Sequence, residues 1–221
     1  DRIPGVGFSG DGTLGNFWQD ATHVRGIWRR TSLDSFRKDE PVWETVLDFD
    51  ALAKAEGKNW VYKGSTCLAP DDRYCLVQLS DGGKDAVTLR EFDTVTRTFV
   101  DGGFASPDGK QNVTWLDKDT LLIARDWGEG TMTKSSYPYV LKAWKRGTPL
   151  ASAAEVFRGT VDDVSVSAFV LRDADGVAQA TMISRGVSFF ESETYLLTDK
   201  GPVRLPFPLK SSIQGLVGGK L

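Results

Sequence analysis

This chain has few of the residue types on which most catalytic and metal chemistry depends. Its 221 residues include one histidine, His23, and two cysteines, Cys67 and Cys75. These cannot supply a zinc cluster or a multi-histidine iron site. The motif Gly-x-Ser-x-Gly, which lifts a nucleophilic serine onto a strand-to-helix turn, occurs nowhere in the sequence. The sequence therefore predicts a chain that is not an enzyme by itself, with no catalytic residue, no metal and no cofactor.

Strong charge asymmetry and long apolar runs are also missing. The net charge of -3 offers no basic surface for nucleic acid. No stretch approaches the roughly 18 apolar residues that a membrane-spanning helix needs. We therefore expect neither nucleic acid nor a membrane as a partner. Because the chain begins at Asp1 rather than at methionine, we expect it to be a piece of a longer protein.

The two cysteines are too few for a disulfide framework. They flank the turn Pro70–Arg73, so a hairpin would place them opposite one another. A bond between them would need both suitable geometry and an oxidising compartment. The sequence-based expectation is free thiols and a cytoplasmic location, with the periplasm as the alternative.

Short alternating segments separated by polar turns dominate the chain. In residues 16–31, two aromatic segments flank a compact turn, which is typical of an antiparallel hairpin. A brief helical pattern covers residues 50–57, with Asp50 as its N-cap and Gly57 as its stop. Similar strand patterns are predicted at 42–47, 60–68, 74–79, 86–92, 97–100, 112–116, 120–125, 139–145, 155–157, 164–171, 177–184, 194–198, 203–206 and 212–217. Grouped in fours they give units of roughly 45 to 55 residues, near the repeat of propeller blades; a two-sheet sandwich also fits this spacing.

Tryptophan is the one abundant residue type with binding potential. Most of the seven tryptophans lie inside alternating strand patterns, where they are expected to pack between elements. Trp127 is the exception, because it lies in the polar, glycine-rich segment 125–138. Long loops on a rigid scaffold often carry recognition. The pattern therefore makes Trp127 a candidate for a functional contact.

Several long motifs, in order along the chain, resemble the propeller of bacterial prolyl oligopeptidases. They cover residues 16–31, 40–48, 90–93 with 99–104, 115–122, and 137–142. The resemblance extends over residues 14–217 and is stronger up to about residue 160. It implies an all-β fold, a partial β-propeller of about four four-stranded antiparallel blades from a seven-bladed parent, plus one short helix. The implied parts are an irregular segment 1–13, blades at 14–58, 59–104, 105–160 and 161–211, and the start of a fifth blade at 212–221.

The resemblance also implies a function that the residues alone do not give. Prolyl oligopeptidases are serine peptidases that cleave short peptides after proline, and their propeller caps an α/β-hydrolase domain and gates peptide entry. Their catalytic residues would lie beyond residue 221, so none is assigned here. By position, Arg125, Asp126 and Trp127 are the candidates for lining the peptide chamber.

The implied partners are the missing hydrolase domain, the remaining blades and short peptides. Unpaired blade edges could also make the fragment self-associate. The alternative function is a stand-alone propeller or sandwich module that binds carbohydrate or protein.

Overall fold

The computed structural model describes residues 5–221, which divide into two compact units. The first unit ends at Asp108 and the second runs from Gly109 to Leu221. The chain forms four antiparallel sheets, three with four strands and one with five, and this confirms the predicted blade-type all-β fold. The longest helix has eight residues, and none of the helices in residues 5–221 could cross a membrane.

The first sheet contains the predicted aromatic hairpin. Its strands are β1 (Gly7–Phe8), β2 (Leu14–Trp18), β3 (Ile27–Thr31) and β4 (Glu44–Asp48). The sequence predicted an irregular N-terminal segment. The structure differs in part, because Gly7 and Phe8 pair with Gly15 and Leu14. Residues 1–4 of that segment lie outside the described residues.

Two helices are present in the first unit, where one was predicted. The additional helix, α1 (Leu33–Phe36), begins after Ser32, whose hydroxyl oxygen accepts a hydrogen bond from the Ser35 amide. The expected helix, α2 (Phe49–Glu56), ends as predicted at Gly57, whose φ of 61° is the left-handed conformation that glycine adopts readily. Its N-cap is Asp48, so the prediction of Asp50 was wrong. The carboxylate of Asp50 instead accepts hydrogen bonds from the Arg25 amide.

The second sheet packs with α2 and the first sheet around one apolar core. Its strands are β5 (Trp60–Cys67), β6 (Tyr74–Asp81), β7 (Val87–Asp93), β8 (Thr98–Phe99) and β9 (Ala105–Gly109). Phe49, Trp60 and Phe92 are buried in this core. Strand β9 pairs with β7. Residues 105–109, which the sequence assigned to a third blade, therefore belong to the second sheet.

Cys67 and Cys75 form a disulfide, and the expectation of free thiols was wrong. They lie directly opposite each other on β5 and β6, as the hairpin pattern predicted, and their Cα atoms are 3.9 Å apart. The Leu68 amide donates to the Tyr74 carbonyl at 2.8 Å. The neighbouring cysteine pair is therefore of the non-hydrogen-bonded kind, in which opposite side chains lie closest together.

The second unit holds the third and fourth sheets. The third consists of β10 (Gln111–Asp117), β11 (Thr120–Arg125), β12 (Val140–Lys145) and β13 (Ala154–Arg158), and a 3-10 turn, Leu150–Ser152, precedes β13. The fourth consists of β14 (Ser165–Arg172), β15 (Ala178–Gly186), β16 (Ser192–Thr198) and β17 (Gly201–Arg204). Buried side chains such as Leu141, Phe157 and Ile183 form their shared core.

The strand predicted at 212–217 is not formed. Residues 205–221 contain only an isolated bridge between Val217 and Lys220. The assignment of 212–221 to the start of a fifth blade stays a prediction.

Candidate functional site

The long loop between β11 and β12 carries the three residues that the sequence singled out. Arg125 is the last residue of β11, and Asp126 and Trp127 open the loop. Asp126 is exposed, Trp127 is half-buried and Arg125 is buried. The structure thus places the three residues side by side at one end of the third sheet. Their role in lining a peptide chamber stays a prediction.

Trp127 anchors this loop to the core. Its indole N–H donates to the Val140 carbonyl at 3.0 Å, and its ring packs against the apolar core of the second unit. The Lys142 ammonium nitrogen lies 4.4 Å from the ring centroid. Because one end of the indole is bonded and one face carries a cation, Trp127 has less surface for a ligand than the sequence suggested.

Hydrogen bonds order the first turn of the loop. The Asp126 carboxylate accepts from the Gly128 amide at 2.9 Å. The Thr131 hydroxyl accepts from the Trp127 amide at 3.0 Å and donates to the Gly128 carbonyl at 2.6 Å. The Tyr139 hydroxyl donates to the Gly130 carbonyl. These hydrogen bonds therefore hold the first part of the loop in a defined conformation.

Arg125 is an unusual residue for the end of a strand, because it is charged and buried. Burial lowers the pKa of its guanidinium, and the adjacent Asp126 carboxylate partly offsets this effect. Its Nε donates to the Asp126 carbonyl at 3.2 Å. A buried guanidinium beside an exposed carboxylate gives this end of the sheet polar character.

The tip of the loop contacts the segment between β13 and β14, which leads into the fourth sheet. Met132 and Pro138 form a β-bridge, and the Lys134 amide donates to the Val161 carbonyl at 2.9 Å. The Val164 amide in turn donates to the Gly186 carbonyl at the end of β15. The long loop and the β15–β16 loop therefore lie at the same end of the second unit.

The β15–β16 loop presents two phenylalanines that the sequence analysis missed. Phe189 and Phe190 are 84% and 78% exposed, and their rings contact each other edge to face. The Glu191 carbonyl accepts hydrogen bonds from the Val187 and Ser188 amides below them. Two adjacent aromatic residues in an otherwise polar turn were the available signal. Adjacent exposed apolar side chains on an ordered turn are typical of contact surfaces.

His23 lies in the turn of the first hairpin. Its Nδ1 atom lies 3.0 Å from an Asp20 oxygen and 3.1 Å from the Thr22 hydroxyl, all within one hairpin turn. A catalytic triad needs the nucleophile and the carboxylate on different ring nitrogens. Thr22 and Asp20 both contact Nδ1, so these three residues do not have the arrangement of a catalytic triad. Residues 5–221 also contain no group of three or more histidine, cysteine, aspartate or glutamate side chains arranged to hold a metal ion.

The sequence is similar to peptidases that are about three times as long. It is 47% identical over its whole length to an uncharacterized peptidase of Sinorhizobium fredii and covers 31% of that protein. It is 33% identical to an uncharacterized peptidase of Rickettsia prowazekii, with 92% of this chain and 30% of that protein aligned. This chain thus spans about a third of each curated relative.

A solved structure and a family model agree with these relatives. The structure of a post-proline cleaving enzyme from Rickettsia typhi superimposes with a TM-score of 0.88 at 32% identity, over 97% of this chain and 33% of that chain. The family model "Prolyl oligopeptidase, N-terminal beta-propeller domain" matches residues 6–211. This chain belongs to the N-terminal β-propeller family of the prolyl oligopeptidases.

Proposed function

We propose that this chain is the non-catalytic propeller part of a longer serine peptidase that cleaves short peptides after proline. The family match over residues 6–211, together with coverage of only a third of each relative, carries this proposal. The solved relative is itself a post-proline cleaving enzyme. The missing partners are the α/β-hydrolase domain and the remaining blades, and short peptides are the substrates.

The first experiment separates this chain from its parent. We expect the full-length protein to hydrolyse a short chromogenic peptide that carries proline before the scissile bond, and a serine-directed inhibitor to abolish the activity. The 221-residue chain should have no activity. Turnover by this chain, or an inactive full-length protein, would contradict the proposal.

The proposed role of the propeller is to gate peptide entry. One end of the second unit carries both the hydrogen-bonded loop between β11 and β12 and the exposed Phe189 and Phe190. These features support a contact role for that end. Loops and domains that cover an active site admit the substrate when they open and sequester it when they close.

A loop replacement tests the gate in the full-length protein. Met132 and Pro138 are bridge partners, so residues 133–137 can be replaced by Asn-Gly, a favoured two-residue turn. We expect kcat/KM for a 30-residue peptide to rise relative to that for a tetrapeptide. The control, Arg146→Asn, creates the same Asn-Gly dipeptide with Gly147 at the opposite end of β12, and it should leave the ratio unchanged. Equal ratios for both variants would refute gating by this loop.

The binding-module alternative has little support. All seven tryptophans lie in the described residues, and none is exposed. Trp60, Trp115 and Trp144 are buried. A carbohydrate platform needs exposed aromatic faces, so this reading is the weaker of the two. Self-association of the fragment stays a prediction.

The disulfide bears on the compartment. Disulfides persist in oxidising compartments and are rare in the cytosol. The Cys67–Cys75 bond therefore favours the periplasmic alternative. Alkylation of the freshly lysed protein followed by mass spectrometry tests this, because two alkylated cysteines would restore the cytoplasmic expectation.

A further inference from the structure

Arg29 is held in an unusual way on the first sheet. It lies in the middle of β3, directly opposite Asn16 of β2 and Thr45 of β4. The diagonal neighbours on the same face are Trp18 and Trp43, one from each flanking segment. The guanidinium carbon lies 4.4 Å from the ring centroid of Trp18 and 4.2 Å from that of Trp43. The cation therefore lies within cation–π distance of two indoles, and we call these three side chains the Arg29 clamp.

The clamp also fixes one edge of the guanidinium. Nε donates to the Asn16 side-chain oxygen at 2.9 Å, and Asn16 is itself buried. Within residues 5–221 this is the one hydrogen bond that the Arg29 side chain makes. The two terminal Nη groups are not sealed in the interior, because every buried side-chain nitrogen and oxygen of the described chain has a partner. Neither Nη group has a hydrogen-bond partner among residues 5–221.

The nearby carboxylate does not serve as the missing partner. Asp20 contributes a favourable charge, which partly offsets the lowering of the Arg29 pKa by burial. Its oxygens, however, accept hydrogen bonds from the Trp18 indole, from the amide and hydroxyl of Thr22, and from His23. None of its hydrogen bonds comes from Arg29.

We propose that Arg29, clamped by Trp18 and Trp43, is a preformed receptor for one carboxylate side chain from the part of the full-length polypeptide outside this chain. The two indoles lie close to the guanidinium carbon and Nε is bonded to Asn16, so the two Nη groups in the plane of the guanidinium are left for a partner. A carboxylate binds in that plane through two parallel hydrogen bonds. The proposed function supplies the occupant, since the relatives contain about twice as much additional chain. This inference rests on that proposal.

The structure of the full-length protein is the first test. An aspartate or glutamate from outside residues 1–221 should lie within about 3.2 Å of Arg29 Nη1 or Nη2. Water alone at these atoms would overturn the proposal, as would a carboxylate from residues 1–4 or from a second molecule. Peptide hydrolysis is a separate measurement, so an active enzyme with a solvated Arg29 would refute this inference and leave the proposed function intact.

A double-mutant cycle in the full-length protein tests the energetic link. We expect Arg29→Met and the amide variant of the acid found in that structure each to speed amide exchange in β3 by about tenfold or more. The double variant should be no faster than either single variant. The control is Arg30→Met, because Arg30 is already paired with Glu44 at 2.8 Å and should show no coupling to that acid. Additive effects of Arg29 and the acid would overturn the proposal even if all variants fold.

Discussion

Arg29 and Arg185 are half-buried arginines, one in each unit, and the protein accommodates their charges in opposite ways. Arg185 faces two carboxylates, with Nε 2.7 Å from Asp163 and Nη1 3.1 Å from Glu193. Hydrogen bonds from its guanidinium to Asp163 raise the pKa of Arg185, whereas burial lowers the pKa of Arg29. Arg29 instead lies beside the rings of Trp18 and Trp43 and donates a hydrogen bond to the side-chain amide of Asn16. The contrast indicates that Arg185 completes the fold of its unit, while Arg29 keeps hydrogen-bonding capacity for another group.

The largest effect is expected from removing the paired arginine. Arg185→Met leaves Asp163, whose side chain is 4% exposed, without its cation. Breaking a buried ion pair from one side should lower the free energy of unfolding by about 3 kcal/mol. Urea unfolding of the full-length protein measures this loss. Arg158→Met is the control, because its exposed pair with Glu155 should contribute at most about 0.5 kcal/mol. Equal losses would remove the distinction between buried and exposed pairs.

The acid side of the same pair gives a pH-dependent prediction. Burial alone would raise the pKa of Asp163, but hydrogen bonds from Arg185 and Thr160 hold it below the usual value. A lowered pKa in the folded state stabilises the protein above about pH 4, and this stabilisation is lost as the pH falls through the folded value. The stability gap between wild type and Asp163→Asn should therefore be full at pH 7 and shrink below about pH 4. Urea unfolding across this range checks it, and a gap that widens in acid would contradict the assignment.

A smaller effect should follow from opening the Arg29 clamp. Trp43→Leu removes one aromatic face from the guanidinium and should reduce the free energy of unfolding by about 1 kcal/mol. Trp43→Phe keeps an aromatic face and should lose less. Thermal unfolding of the two variants sharpens the comparison. Indistinguishable variants would mean that Trp43 contributes only apolar volume.

The smallest effect separates Asp20 from Arg29. The Thr22 hydroxyl and the His23 amide hold the pKa of Asp20 well below its usual range. Thr22→Val should raise that pKa clearly, and Arg29→Met should raise it much less, because Arg29 acts on Asp20 only through the attraction of their charges. Carboxyl chemical shifts followed by NMR during a pH titration report both results. An equal or larger rise in Arg29→Met would show that Asp20 already serves as the partner of Arg29.

The sequence predicted elements whose signals are local. Strand β11 begins and ends as predicted, because the turn Asp117–Asp119 marks its start and the polar loop marks its end. Strands β1 and β9 were missed, since each depends on pairing with a neighbouring strand rather than on its own pattern. The N-cap of α2 shifted because Phe49 is needed in the core, which leaves Asp48 to cap the helix.

The candidate sites were less predictable than the strands. The position of Trp127 followed from its loop, but its indole bond to Val140 depends on how the loop folds back. The Arg29 clamp depends on the register of three strands, with Trp18 and Trp43 separated by 25 positions in the sequence. No single segment contains that information.

The Cys67–Cys75 bond has a consequence for the start of the chain. Its closed loop is short, so the cross-link contributes only about 2.5 kcal/mol through chain entropy. That loop contains Asp72, whose carboxylate accepts a hydrogen bond from the Gly10 amide at 2.7 Å. Reduction of the disulfide should therefore leave the sheets intact and loosen the hydrogen bond between Asp72 and Gly10 that holds residues 9–13 in place. The amino-terminal edge is then the first part of the molecule to respond to a reducing environment.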